Sequence, residues 1–153
     1  MISFKKCSPY QAEISAMIDE LDRFQGSLYP EASNYHDSKE TLNQPNCHFI
    51  SANENLDICG IGAIKIFSDY GEIKRVYVPQ RFRGKGIAAF IIKELENHLT
   101  KNGITLARLE TGIHHIEAIN LYSKLGYYKI SPFADYEADP LSVFMEKKLY
   151  LDK

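Results

Sequence analysis

Between Glu72 and Lys101 the sequence commits itself to one local architecture, a strand that runs into a cationic glycine loop and out again as a helix. Glu72 to Val78 carries the alternating and β-branched composition of a strand, and Pro79 stops it because proline cannot donate to a ladder. Then come Gln80-Arg81-Phe82-Arg83-Gly84-Lys85-Gly86, three cations and two glycines within seven residues. From Gly86 to Lys101 the apolar residues Ile87, Ala88, Ile91, Leu95 and Leu99 fall on one helical stripe. Lys93, Glu94, Glu96, Asn97 and Lys101 are expected on the opposite face, and Asn102-Gly103 to end the helix. Two glycines let backbone N–H groups turn towards a ligand, and a helix start adds about half a positive charge with free donors. Arg81, Arg83 and Lys85 supply the countercharge, so the segment suits a phosphate or pyrophosphate. The alternative is a solvated basic turn in front of an ordinary helix.

The rest of the chain reads as elements around this unit. Met1 to Lys6 predicts a strand, and Ser8-Pro9 the start of a helix carrying Ile14, Met17, Ile18 and Leu21 at helical spacing. Gly26 to Pro45 reads as polar loop with a helical turn from Ser38 to Leu42. His48 to Ala52 and Ile58 to Phe67 predict strands across a turn at Asn53-Glu54-Asn55. Ile104 to Glu110 is the next strand, Ile116 to Leu125 a helix stopped by Gly126, Tyr127 to Ile130 a strand, and Leu141 to Leu149 the last. No repeat or linker divides the 153 residues, so one domain spanning 1–153 is expected.

Charge and cysteine content narrow the partners. A formal net charge of −2 offers no global field for nucleic acid or an anionic membrane, so neither is expected as a partner. The longest apolar run, Gly86 to Ile92, is too short for a bilayer span, and no apolar h-region follows Lys5-Lys6. Cys7, Cys47 and Cys59 have no paired spacing, which favours a reducing, cytoplasmic setting. A homodimer is compatible with the chain.

Which anion the loop takes depends on spacing. Lys85 is followed by Gly86 rather than Ser or Thr, so the loop is not a Walker motif. Gly84-Lys85-Gly86-Ile87-Ala88-Ala89 does match Gly-x-Gly-x-x-Ala, which leaves a dinucleotide-binding reading open with Glu110 as the ribose acid. Against it, about eighty residues precede the motif, one strand–helix–strand unit follows it cleanly, and such a fingerprint rarely carries a dense cation cluster ahead of its first glycine.

Arg81-x-x-Gly84-x-Gly86 after Val76-Tyr77-Val78 resembles the acetyl-CoA loop of the GNAT N-acetyltransferase superfamily. Glu117-Ala118-Ile119-Asn120-Leu121-Tyr122-Ser123-Lys124-Leu125-Gly126-Tyr127 is similar to that superfamily's Ala-x-x-Leu-Tyr-x-Lys-x-Gly-Phe segment, with Tyr127 where phenylalanine is common. Leu109-Glu110-Thr111-Gly112 and Asp139 to Met145 resemble its bacterial small-molecule branch. The resemblance implies an α/β (α+β) fold with a mixed, mostly antiparallel sheet of about six to seven strands flanked by helices. It implies acetyl-CoA as co-substrate and no metal. The pyrophosphate would lie on the backbone of Arg83, Gly84, Lys85, Gly86, Ile87 and Ala88, the pantetheine along Tyr77 and Val78, with Asn120 on the arm, Lys124 near the phosphates and Arg81 at the loop's entrance.

The implied reaction is direct attack of a small-molecule primary amine, such as an amino acid, on the thioester. Such an attack needs an unprotonated amine, an oxyanion donor and a proton for the departing thiolate. Tyr122 is the candidate acid, since a phenol is protonated at neutral pH; its other reading is a core tyrosine. Strand alternation puts Glu72, Lys74, Val76 and Val78 on one face, so Glu72 is expected to point towards the same cleft, and the resemblance implies it as the candidate base, directly or through water; its other reading is an exposed strand charge paired with Lys74 or a neighbour. Tyr29, Glu110, His114 and Tyr136 are expected to contact the acceptor. His114-His115 lack cysteine or acid neighbours at metal spacing. A protein lysine or N-terminal amine as acceptor, and a non-catalytic acyl-CoA-binding module, are the competing functions.

Overall fold

Seven strands hydrogen-bond in the order β1-β2-β3-β4-β5-β7-β6 in a computed structural model that describes residues 1–28 and 38–151. The strands are β1 (Ile2–Lys6), β2 (Cys47–Glu54), β3 (Asp57–Ile66), β4 (Gly71–Tyr77), β5 (Leu106–Gly112), β6 (Tyr128–Ile130) and β7 (Ser142–Lys148). Every neighbouring pair is antiparallel except β4 and β5. This is the mixed, mostly antiparallel sheet that was expected, and its single parallel pair is not the sheet of a dinucleotide fold. No helix among the described residues is long and apolar enough to cross a membrane.

Two helical layers cover the faces. Helix α1 (Ala12–Leu28) and the short α2 (Lys39–Leu42) bury Ile14, Ile18, Leu21 and Leu42 against Phe49, Ile61, Ala63 and Tyr77. On the other face α3 (Ile87–Lys101) and α4 (Ile116–Lys124) share a core with Ile50, Ile64, Ile73, Val78, Ala107, Leu109 and Met145. Helix α1 starts three residues later than expected, because the Gln11 side chain accepts from the Ser8 N–H (2.8 Å) and closes a separate turn. It also runs through Gly26 to Leu28, where loop was expected, since its apolar stripe continues to Phe24.

Helix α3 lies close on the sheet because the strands beneath it carry glycine. A Cβ on Gly62 would stand 2.5 Å from Ile91 Cγ2 and 3.3 Å from Leu95 Cδ1, both fully buried. Gly62→Val should therefore overpack this layer and lower stability by about 1–3 kcal/mol, measured by denaturant unfolding. One polar residue also faces this core. Glu96, expected on the solvent side, is buried, accepting from Tyr127 Oη at 2.9 Å and pairing with Lys147 Nζ at 3.1 Å. Helical spacing could not reveal partners supplied by β7 and the segment after α4.

Both α3 and α4 end in Schellman motifs. Ile104 N–H donates to Leu99 O (2.9 Å) and Gly103 N–H to Thr100 O (3.0 Å). Tyr127 N–H donates to Tyr122 O (3.0 Å) and Gly126 N–H to Ser123 O (3.1 Å). These closures use the residues that periodicity assigned to strand starts, so β5 and β6 begin later than expected.

His48 of β2 stacks on His98 of α3, with ring centroids 3.6 Å apart and planes within 6°. Burial, then His98 and Lys6, push His48 down to about 4, and burial with Lys101 also lowers His98. A lowered histidine stays neutral in the fold but takes a proton in the unfolded chain near pH 6.5, so stability falls as pH drops through that window. Urea unfolding at about pH 7.5 and about pH 5 should show this loss, and His48→Phe should reduce it.

Candidate active site

The site begins where the sheet opens. β4 and β5 pair only at Gly71↔Ala107 and Glu72↔Arg108, and both strands then continue without pairing to each other. A β-bulge coincides with this divergence. Ile61 pairs with Tyr77 and Ala63 with Lys74, so Gly62 opposes both Arg75 and Val76, and Arg75 adopts φ 57°. One extra residue moves every later side chain to the other face. Ile73 and Val76 consequently both face α3, while Tyr77 packs under α1 and Arg75 pairs with Asp22 of α1. The expectation that Glu72, Lys74, Val76 and Val78 share one face is thus corrected: the bulge separates Glu72 and Lys74 from Val76 and Val78.

The opening leads into a cleft of about 800 Å³. One end is the loop before α3, where Gln80–Phe82 forms a 3₁₀ turn and Arg83 Nε holds Val78 O at 2.9 Å. Gly84 (φ 84°) and Gly86 (φ 75°) are left-handed, and no atom lies within 4 Å of where either Cβ would be. Gly86 is the N-cap of α3 and brings no side chain to cap it, so the first N–H groups of a fifteen-residue helix face the cleft mouth without an internal acceptor. The backbone geometry, the Arg83 guanidinium and the space at both glycines fit a pyrophosphate.

Tyr122 also lines the cleft. Its position is fixed twice, by the α4 Schellman motif and by an edge contact with Tyr127 at 5.5 Å between centroids. Burial raises its phenol further above the ordinary range, so it is a proton donor rather than an acceptor at neutral pH.

The other end is polar. Glu72 is buried, accepts from Tyr136 Oη at 2.6 Å and pairs with Lys74 Nζ at 3.2 Å, while Lys74 also donates to Tyr136 Oη at 3.1 Å. Burial, followed by the charge of Glu72, raises the Tyr136 phenol. Across the gap on β5, Glu110 accepts from Ser142 Oγ at 2.8 Å, and burial pushes its carboxyl up to about 7. Burial and the neighbouring His114 lower His115, which stacks on Phe24 of α1 at 5.6 Å.

Of the residues singled out from sequence, Glu72, Tyr77, Val78, Arg83, Gly84, Gly86, Ile87, Ala88, Glu110, His114, Tyr122 and Tyr136 all line this cleft. Four others lie elsewhere. Arg81 lines a separate depression with Glu13 and Asp57, and Lys85 points to Glu54 at 4.0 Å. Asn120 and Lys124 are exposed on α4 outside the lining. Tyr29 lies outside the described residues. Lys74, Phe24 and Ser142 were missed as site residues. The helical spacing of Phe24 from Leu21 could have found it, whereas Ser142 becomes visible only through the β5–β7 register.

Comparison with known proteins agrees with this geometry. The sequence profile described as Acetyltransferase (GNAT) family matches residues 14–127. An "IAA acetyltransferase" of Azospirillum brasilense is 37% identical over 150 residues, covering 97% of this chain and 98% of that protein. A solved structure assigned as an acyl-CoA N-acyltransferase of Klebsiella pneumoniae superposes with TM-score 0.83 at 33% identity, over 98% of this chain and 99% of that one. The PaiA N-acetyltransferase of Thermoplasma acidophilum, solved with coenzyme A, shares the fold at TM-score 0.74 and 21% identity, over 97% and 99% of the two chains.

Proposed function

Because the chain belongs to the GNAT acetyltransferase family, we propose that it moves the acetyl group of acetyl-CoA to the primary amine of a small molecule within the β4–β5 cleft. The observation that carries this reading is the presence, in the lining of one cleft, of the α3 start without a side-chain cap, the Tyr122 phenol and the carboxyls of Glu72 and Glu110. The loop from Arg83 to Ala88 holds the pyrophosphate, and the unpaired inner edge of β4 at Tyr77 and Val78 receives the pantetheine as an added strand. When bound, the thioester supplies an activated acyl group, so no protein nucleophile is needed. Tyr122 donates a proton to the departing sulfur, and a backbone N–H near Val78 serves the developing oxyanion. Arg81, Lys85, Asn120 and Lys124 contribute at the rim, through charge and side-chain contacts to parts of the coenzyme outside the cleft.

At the far end Lys74 balances the charge of Glu72, so Glu110 is the carboxylate left to favour a cationic acceptor over a neutral alcohol. A panel of primary amines and matched alcohols, followed by free-thiol release from acetyl-CoA, tests the reading. Amine-dependent release is expected, and release with hydroxyl acceptors alone would contradict it.

A further inference from the structure

Helix α1 brings to the cleft a large apolar side chain that the core does not use. Phe24 lines the cleft and is 47% exposed, although Leu21, one turn earlier on the same stripe, is buried. The Phe24 ring stacks on His115, the N-cap of α4, with centroids 5.6 Å apart and planes within 15°. The Thr111 hydroxyl lies 3.4 Å from His115 Nδ1, so the histidine side of the stack is held from β5. Burial, then His114, lower His115, which keeps that ring uncharged at neutral pH. Two flat, neutral rings thus form part of the lining, and Phe24 still meets solvent.

The position of this wall says which ligand it meets. Helix α1 covers the sheet face opposite α3, so a group resting on Phe24 reaches the β4–β5 opening from the side away from the loop that begins α3. That leaves the acceptor, rather than the coenzyme, to cover the ring. The β4 cations in the lining are already matched: Lys74 pairs with Glu72 at 3.2 Å, and Arg75 pairs with Asp22 of α1. An acceptor therefore gains little here by carrying an anion of its own. An aromatic face laid on Phe24 gains both buried apolar area and a favourable ring contact.

We propose that the acceptor is an arylalkyl amine, an uncharged aromatic ring joined to a primary amine by a short alkyl chain, and that Phe24 selects it. The proposal rests on the reading of the cleft as an N-acetyltransfer site. The ring lies against Phe24, while the ammonium group is drawn to the carboxylate of Glu110. Ring and amine are recognised by different walls, so selectivity for the ring can change without a change in the chemistry of transfer.

Free-thiol release from acetyl-CoA with ethylamine, 2-cyclohexylethylamine and 2-phenylethylamine tests the assignment. In the parent, kcat/KM for 2-phenylethylamine should exceed that for ethylamine by at least about tenfold, from the apolar area covered. It should exceed that for 2-cyclohexylethylamine by about two- to tenfold, the part due to ring–ring contact. Phe24→Leu should abolish the second preference and keep much of the first. Phe24→Ala should reduce both, with KM for acetyl-CoA unchanged. Because Phe24 is half exposed, neither substitution empties the core, and thermal unfolding checks that both variants fold. A parent without these preferences, or preferences that survive in Phe24→Ala, would overturn the assignment alone. A raised KM for acetyl-CoA in Phe24→Ala with the preferences intact would give the wall to the coenzyme and overturn the assignment as well. Absence of release by the parent with every amine would overturn the N-acetyltransfer reading and the assignment with it.

Discussion

Replacing Tyr122 by phenylalanine is expected to lower kcat at least tenfold while leaving acetyl-CoA affinity and folding intact. The ring carries the structural work of this residue: it meets Tyr127 edge-on at 5.5 Å and belongs to the core shared by α3 and α4. Phenylalanine keeps that ring, and the Schellman motif that fixes the end of α4 uses only backbone atoms. What the variant loses is a hydroxyl held in the cleft and kept protonated by burial. General acid catalysis is typically worth about 10²–10⁴-fold, so even partial replacement by water leaves a deficit that steady-state kinetics resolves. A kcat within about twofold of the parent, with chemistry rate-limiting, would make the tyrosine purely structural.

Gly86→Val is expected to weaken coenzyme A binding by about tenfold to about 150-fold, the loss of one charge-assisted hydrogen bond. Valine at φ 75° is strained by roughly 1–2 kcal/mol and would pull the first turn of α3 out of line. Each charge-assisted hydrogen bond lost at the pyrophosphate is worth roughly 1.5–3 kcal/mol, which converts to about tenfold to about 150-fold when one is lost. Gly103→Val provides the control. It has the same left-handed conformation (φ 76°) at the other end of the same helix, with no atom within 4 Å of its Cβ position. Both variants should lose similar stability, yet only Gly86→Val should lose affinity in a calorimetric titration.

The sequence made the strand, glycine loop and helix around Gly86 legible because each depends on local chemistry. Proline stops a ladder, glycine takes a left-handed turn and a 3.6-residue stripe seeks a core. What escaped depends on residues far away in the chain. The bulge at Arg75 arises in the pairing of β4 with β3, opposite Gly62, and no feature of Glu72 to Val78 alone announces it. Strand alternation therefore put Glu72 on the same side as Val78. Glu72 still reaches the cleft, because that cleft opens through the gap between β4 and β5 and touches both faces. Likewise the three loop cations read as one phosphate cluster, but only Arg83 lines the cleft. Arg81 and Lys85 turn towards acids on β3, α1 and β2, which spacing in the loop could not disclose. Glu110 was legible as a polar strand end facing a substrate, whereas its poise required the burial and the Ser142 contact that β7 supplies.

The most direct test of the account is a crystal structure of the chain with acetyl-CoA. The pyrophosphate should accept hydrogen bonds from backbone N–H groups between Arg83 and Ala88. The pantetheine should run along Tyr77 and Val78, with the thioester sulfur beside Tyr122 Oη and the acetyl group in the gap beyond the Gly71 and Glu72 pairings. Coenzyme bound outside the β4–β5 opening, or with its thioester remote from Tyr122, would contradict the account.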